Sequence, residues 1–133
     1  MNTIRRKIMS KQGLEKIVAS LELCKLIPAG EFGDSVLVWR ERIGNISRDN
    51  WVKFRDPEDI SYKVESAEVN YYPAPTAEEI MEKLDEPVLW CRDDDIWRCS
   101  CNSLVLLENG KNASAAALRL WLRVKGIVLK NEV

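Results

Sequence analysis

Hydrophobic and polar positions change period several times along this chain, and the changes mark out its elements. After Ser10, the apolar residues Leu14, Ile17, Val18, Leu21 and Cys24 recur at helical spacing. This predicts an amphipathic helix capped by Ser10 and ended by Pro28 and Gly30. Val36 to Trp39 is a short apolar run after Gly33-Asp34 and predicts a strand over 36–39. Residues 40–61 then read as an irregular charged segment, in which Gly44-Asn45 and Asp56-Pro57 flank one short strand at Trp51-Val52-Lys53-Phe54. Residues 62–72, rich in Val and Tyr, predict a strand that stops at Pro73 and Pro75.

Thr76-Ala77-Glu78-Glu79 is a capping box, and it opens a helix whose apolar stripe is Ile80, Met81 and Leu84. Two β runs, Val88 to Arg92 and Ile96 to Cys101, surround Asp93-Asp94-Asp95 and predict a hairpin over 88–101. Leu104 to Leu107 supplies a last strand and Asn109-Gly110 a turn. Asn112 or Ser114 caps a closing helix over 114–125, with Gly126 at the left-handed position beyond it. On a helical wheel Ala117, Leu120, Trp121 and Val124 share one face and Arg119 and Arg123 the opposite one, while Leu118 and Leu122 widen the apolar arc. Strand runs broken by capped helices, without regular β-α-β alternation, predict an α+β fold. The expected architecture is one compact domain over 10–133, an antiparallel sheet (36–39, 62–72, 88–101, 104–107) packed by about three helices after a basic lead-in at 1–9. Trp121, central on its face, is the expected structural anchor.

Composition changes the picture chiefly by what it removes. The 133 residues contain no histidine, so the commonest general base and metal ligand are both missing, and Ser-His-Asp, Cys-His and His-ligated zinc constellations are impossible. Twenty Lys and Arg against twenty-one Asp and Glu give a net charge of −1, leaving any polyanion binding to local patches. No stretch approaches the roughly 20 apolar residues of a membrane span. The protein is therefore expected in the cytoplasm, with Cys24, Cys91, Cys99 and Cys101 reduced.

The run YYPAPTAEEIMEKL, then paired strands, then NASAAALRLWLRVKGIV resembles a group of small uncharacterised proteins encoded in bacteriophages and prophages. Those proteins combine a Pro-Thr helix start, an acidic leucine-rich helix, paired strands and an apolar closing helix. Residues 73–84 and 113–127 carry the resemblance, which spans about half the chain from its first run to its last. Arg119, Arg123 and Lys125 stand where that pattern is more apolar or acidic, and residues 40–70 have no counterpart in it. The resemblance implies a small α+β domain from a mobile element, in the bacterial host cytoplasm, and carries no functional residue across.

The candidate chemistry is sparse. Leu89, Cys91, Trp97, Cys99 and Cys101 share one face of the predicted hairpin, so these thiols are expected in the core and not around a metal. Asp93-Asp94-Asp95 is a solvated turn, not a calcium loop. Gly110-Lys111 lacks both the first glycine and the Ser/Thr of a phosphate-binding loop. No cofactor is expected. The leading expectation is a non-catalytic accessory protein that binds another protein through exposed apolar surface, with Trp39, Trp51, Tyr71, Tyr72, Leu118 and Leu122 as candidate contacts. The alternative is a nucleic-acid-associated phage regulator using Arg5, Arg6 and Lys7 at the start of the chain and Arg119 and Arg123 on the last helix. Self-association between last helices would juxtapose their arginines. A monomer is favoured for that reason, its N-terminal helix lying along Leu118 and Leu122.

Overall fold

A computed structural model describes residues 11–44, 48–57, 62–64, 67–101 and 106–129. The elements, in chain order, are α1 (Lys11–Glu15), α2 (Leu21–Cys24), β1 (Leu37–Gly44), β2 (Arg48–Phe54), β3 (Tyr62–Val64), β4 (Ala67–Pro73), α3 (Ala77–Met81), β5 (Val88–Cys91), β6 (Trp97–Cys101), β7 (Leu106–Gly110) and α4 (Ala113–Val124). The architecture is α+β with antiparallel pairing throughout. The strands divide between a four-stranded sheet, order β2-β1-β4-β3, and a three-stranded sheet, order β5-β6-β7.

The predicted N-terminal helix is two short ones. Ser20 lies in extended backbone and its Oγ accepts from the Leu23 amide at 3.3 Å, starting α2 afresh. The interruption leaves carbonyls outside any helix, and side chains from the rest of the fold use them. Asn112 Nδ2 donates to the Lys16 and Val18 carbonyls, Ser114 Oγ to Ile17, and the Trp39 indole to Ala19. A continuous helix would have consumed these acceptors internally. The predicted Ser10 cap lies outside the described residues.

The largest departure concerns residues 40–54. Arg40 to Gly44 continues β1, and β2 begins at Arg48, where the sequence reads as irregular charge. Leu37, Trp39 and Glu41 are buried on the inner face, while Arg40 is half-buried and Arg42 exposed on the other. Strand alternation with charges on one face looks irregular when the charged face is unusually dense and a buried glutamate sits on the other. The 62–72 run is likewise two strands, paired as Tyr62 with Val69 and Val64 with Ala67.

Other elements follow expectation. The capping box is complete: the Glu79 amide donates to Thr76 Oγ1 at 3.3 Å and the Thr76 amide to Glu79 Oε1 at 2.8 Å. Glu79 also accepts from Ser35 Oγ and the Val36 amide, which ties α3 to the start of β1. Asn112 is the cap of α4, accepting from the Ala115 amide at 2.8 Å, and Gly126 takes φ +84°. Gly110 ends β7 instead of forming a turn. A Cβ there would stand 2.3 Å from the Ala116 amide nitrogen, so its role is to let α4 approach the strand.

The main core surrounds α4, which is buried over residues 114–122. The three-stranded sheet packs on one side of α4, and α3, with α2 beside it, on the other. Leu118 and Leu122 are fully buried. They are covered within the one chain, and α4 packs against α3 as well as α2 of the N-terminal segment, where the sequence suggested that segment alone. Trp121 is 1% exposed and meets Phe32 edge-on at 4.8 Å between ring centroids.

Candidate functional site on the outer sheet face

The two faces of the four-stranded sheet differ in chemistry. The inner face carries Trp39, Glu41, Val52 and Tyr72 toward the N-terminal segment. Trp39 is buried, with its indole nitrogen donating to Ala19 at 2.9 Å. This removes it from the surface together with Leu118 and Leu122, so three of the six apolar contacts suggested by sequence belong to the core. Glu41 is buried as well. It receives the Lys25 ammonium at 2.5 Å and the Tyr72 hydroxyl at 3.4 Å. Hydrogen bonding to Glu41 raises the Lys25 pKa, and burial raises that of Tyr72.

The outer face holds the remaining candidates and several residues the sequence did not single out. Cross-strand register places Trp51, Arg40 and Tyr71 in one row over β2, β1 and β4, and Lys53, Val38 and Pro73 in the next. Arg55, whose amide bonds to the Val36 carbonyl, extends the pattern by a further row. The Arg40 guanidinium lies 4.2 Å from the Trp51 ring, and the Lys53 ammonium 5.6 Å from that of Tyr71. Arg42 lies one row further along the same face, opposite Asp49 in the register. Lys53 also pairs with Asp56 at 3.1 Å, an exposed contact of the kind worth at most about 1 kcal/mol. Arg55 Nε donates to the Ser35 carbonyl at 2.9 Å, which fixes the guanidinium beside the row.

A cleft of about 410 Å³ opens at the end of this face, between the 25–33 segment and the ends of β1 and β4. Lys25, Glu31, Arg55, Tyr71 and Tyr72 contribute its polar and aromatic walls, with Val38 and Pro73 among them. Its volume lies within the roughly 300–1,000 Å³ range of small-ligand sites.

The arginines suggested for phosphate on the last helix are arranged otherwise. Arg119 is buried, with Nε 3.1 Å from Glu108 Oε1, and Arg123 pairs with the other oxygen of the same carboxylate. A phosphate would have to displace a buried carboxylate to reach Arg119. Arg5, Arg6 and Lys7 lie outside the described residues.

The thiols are separate from this face. Pairing sets Leu89 opposite Cys99 and Cys91 opposite Trp97. Cys99 and Cys101 are buried, whereas Cys91, at the end of the edge strand β5, is exposed and not in the core as expected. Burial pushes the Cys24 thiol up to about 12 and the Cys99 thiol up to about 11. Since the thiolate is the nucleophile, a disulfide reagent at pH 8 should titrate one thiol, Cys91, in the native protein and all four after denaturation. Rapid native reaction of two or more would contradict the burial of the other three.

Among the described residues, no three His, Cys, Asp or Glu side chains are grouped to hold a metal ion, and no helix is long and apolar enough to cross a membrane. No family model, curated protein or solved structure matches this chain.

Proposed function

We propose that this protein is a non-catalytic accessory protein of a phage or prophage, which binds a polyanionic partner on the outer face of its four-stranded sheet. The observation that carries this reading is the row Trp51, Arg40 and Tyr71, with Lys53 beside it. It concentrates cations on one face of a chain whose net charge is −1, and rings hold two of them in place. The resemblance of residues 73–84 and 113–127 to phage proteins supports the origin. An accessory role fits the available side chains: Glu41 is occupied by Lys25, and the Cys24 and Cys99 thiols are protonated at neutral pH.

The test is retention on a polyanionic heparin matrix at low ionic strength. The protein should bind and be eluted by salt, whereas Arg40→Glu/Lys53→Glu should flow through with its circular dichroism unchanged. A parent protein that is not retained, or a folded charge-reversed variant retained equally well, would defeat the reading.

A further inference from the structure

We infer that the polyanion is single-stranded nucleic acid, with bases stacked along the Trp51, Arg40 and Tyr71 row and phosphates held by Lys53 and Arg55. This rests on the preceding reading and makes its partner specific. The argument begins from the geometry of the row. Adjacent strands stand about 4.8 Å apart, so Trp51 and Tyr71 flank Arg40 on a continuous strip of three planar side chains. The Arg40 guanidinium lies over the Trp51 indole at 4.2 Å, and guanidinium planes, like aromatic rings, are surfaces on which bases stack. A partner that needed only charge neutralisation, such as an acidic protein segment, would gain nothing from this alternation of planes and cations. A single strand uses both, because every nucleotide brings one π face and one phosphate.

Charge and shape agree with this occupant. Among the described residues of this face, Arg40, Arg42, Lys53 and Arg55 stand with Asp49, opposite Arg42 in the register, and Asp56, paired with Lys53: four cations to two carboxylates. The Lys53–Asp56 pair is exposed, so a phosphate can take the place of Asp56 at little cost. The face is a broad sheet surface, whereas major-groove reading of a duplex requires a helix or two-stranded ribbon that enters the groove. Bases splayed from a single strand meet no such requirement. At the end of the row the cleft of about 410 Å³ is walled by Tyr71 and Tyr72 with Lys25 and Arg55, and by Glu31, whose carboxylate is paired with Lys125 at 3.8 Å. It can accept one base edge-on, with its phosphate directed back toward the cations.

The experiment is fluorescence anisotropy of labelled oligothymidylate of about 12 nucleotides, within the site size of other single-strand binders, titrated with the full chain. Saturable binding, poorly competed by a duplex of equal length and by polyglutamate, is expected. Log affinity should fall with log salt, and Lys53→Gln should reduce that slope by about 0.7, the loss of one phosphate contact. Arg40→Lys keeps the charge and removes the plane. It should weaken oligothymidylate roughly tenfold, the lower part of the range for a lost stacked base, while the slope of log affinity against log salt, which counts charges, stays near the parent's. Heparin retention without oligothymidylate binding overturns this inference and leaves the polyanion reading standing. Equal competition by polyglutamate overturns it in favour of an acidic protein partner, and preference for the duplex overturns it as well. If the parent binds neither heparin nor oligothymidylate, both readings fall.

Discussion

Trp121→Ala should lower stability by about 3–5 kcal/mol, the usual cost of deleting a large buried aromatic, and the melting midpoint by roughly 10–20 °C for a chain of this size. Trp121 is 1% exposed at the centre of α4, between the three-stranded sheet and the segment that carries Phe32. Phe32 holds a left-handed backbone with φ 56° and gives its ring to the edge-on contact. A non-glycine residue in that region costs about 1–3 kcal/mol. Removing the indole therefore opens a cavity and also releases the contact that holds a strained turn. Trp121→Phe keeps a ring against Phe32 and should lose less than half as much. Thermal denaturation of the three proteins checks this; an alanine variant with the parent's midpoint would show that Trp121 anchors nothing.

The elements that could be read from sequence have local causes. The Thr76 and Glu79 capping box, the Asn112 cap, Gly126 and the 88–101 hairpin are decided by residues within a few positions of one another, and each appears in the structure. The closing helix was readable from its period, but its apolar arc, wider than one sheet contact needs, left open whether a second element or a second subunit covers it, and the structure buries it within the chain. The failures are non-local. Ser20 restarts a helix because Asn112, Ser114 and Trp39 occupy the carbonyls of residues 16–19, and no window around Ser20 contains those partners. Cys91 shares the inward parity of Cys99 but sits where the edge strand ends, so period alone could not decide its exposure.

The candidate site was half visible. Trp51 and Tyr71 stood out as aromatics beside charged loops, but the cations that join them did not, because Arg40, Arg42 and Lys53 come from two strands, and Arg55 from just past the second, that read as an irregular charged stretch. Only the register, Arg40 opposite both Trp51 and Tyr71, turns them into one surface. One signal in the sequence could have found it: Val38, Arg40 and Arg42 alternate with Trp39, Glu41 and Ile43. That is a period-2 pattern with Glu41 as its one misplaced charge. Glu41 is neutralised by Lys25, from a segment 16 residues away, so the exception also had a non-local cause.

Glu108 provides the second large effect. Its carboxylate is buried on β7 and takes Arg119 on one oxygen and Arg123 on the other. Arg119 is 8% exposed, and Arg123 is the more open partner. Glu108→Leu should cost about 3–5 kcal/mol, because it removes the carboxylate from beside a buried guanidinium. The loss should exceed that from Arg123→Ala, whose charge reaches water. If the cost is the desolvation of Arg119 and not the absence of the ion pair, the double variant Glu108→Leu/Arg119→Met should regain at least half of it, since apolar groups of similar volume replace buried ion pairs with little net loss. Urea denaturation of the parent, Glu108→Leu, Arg119→Met and the double variant forms the cycle that measures this coupling. Additive losses would mean that the two side chains do not depend on each other, and that the closing helix is held to β7 by apolar packing alone.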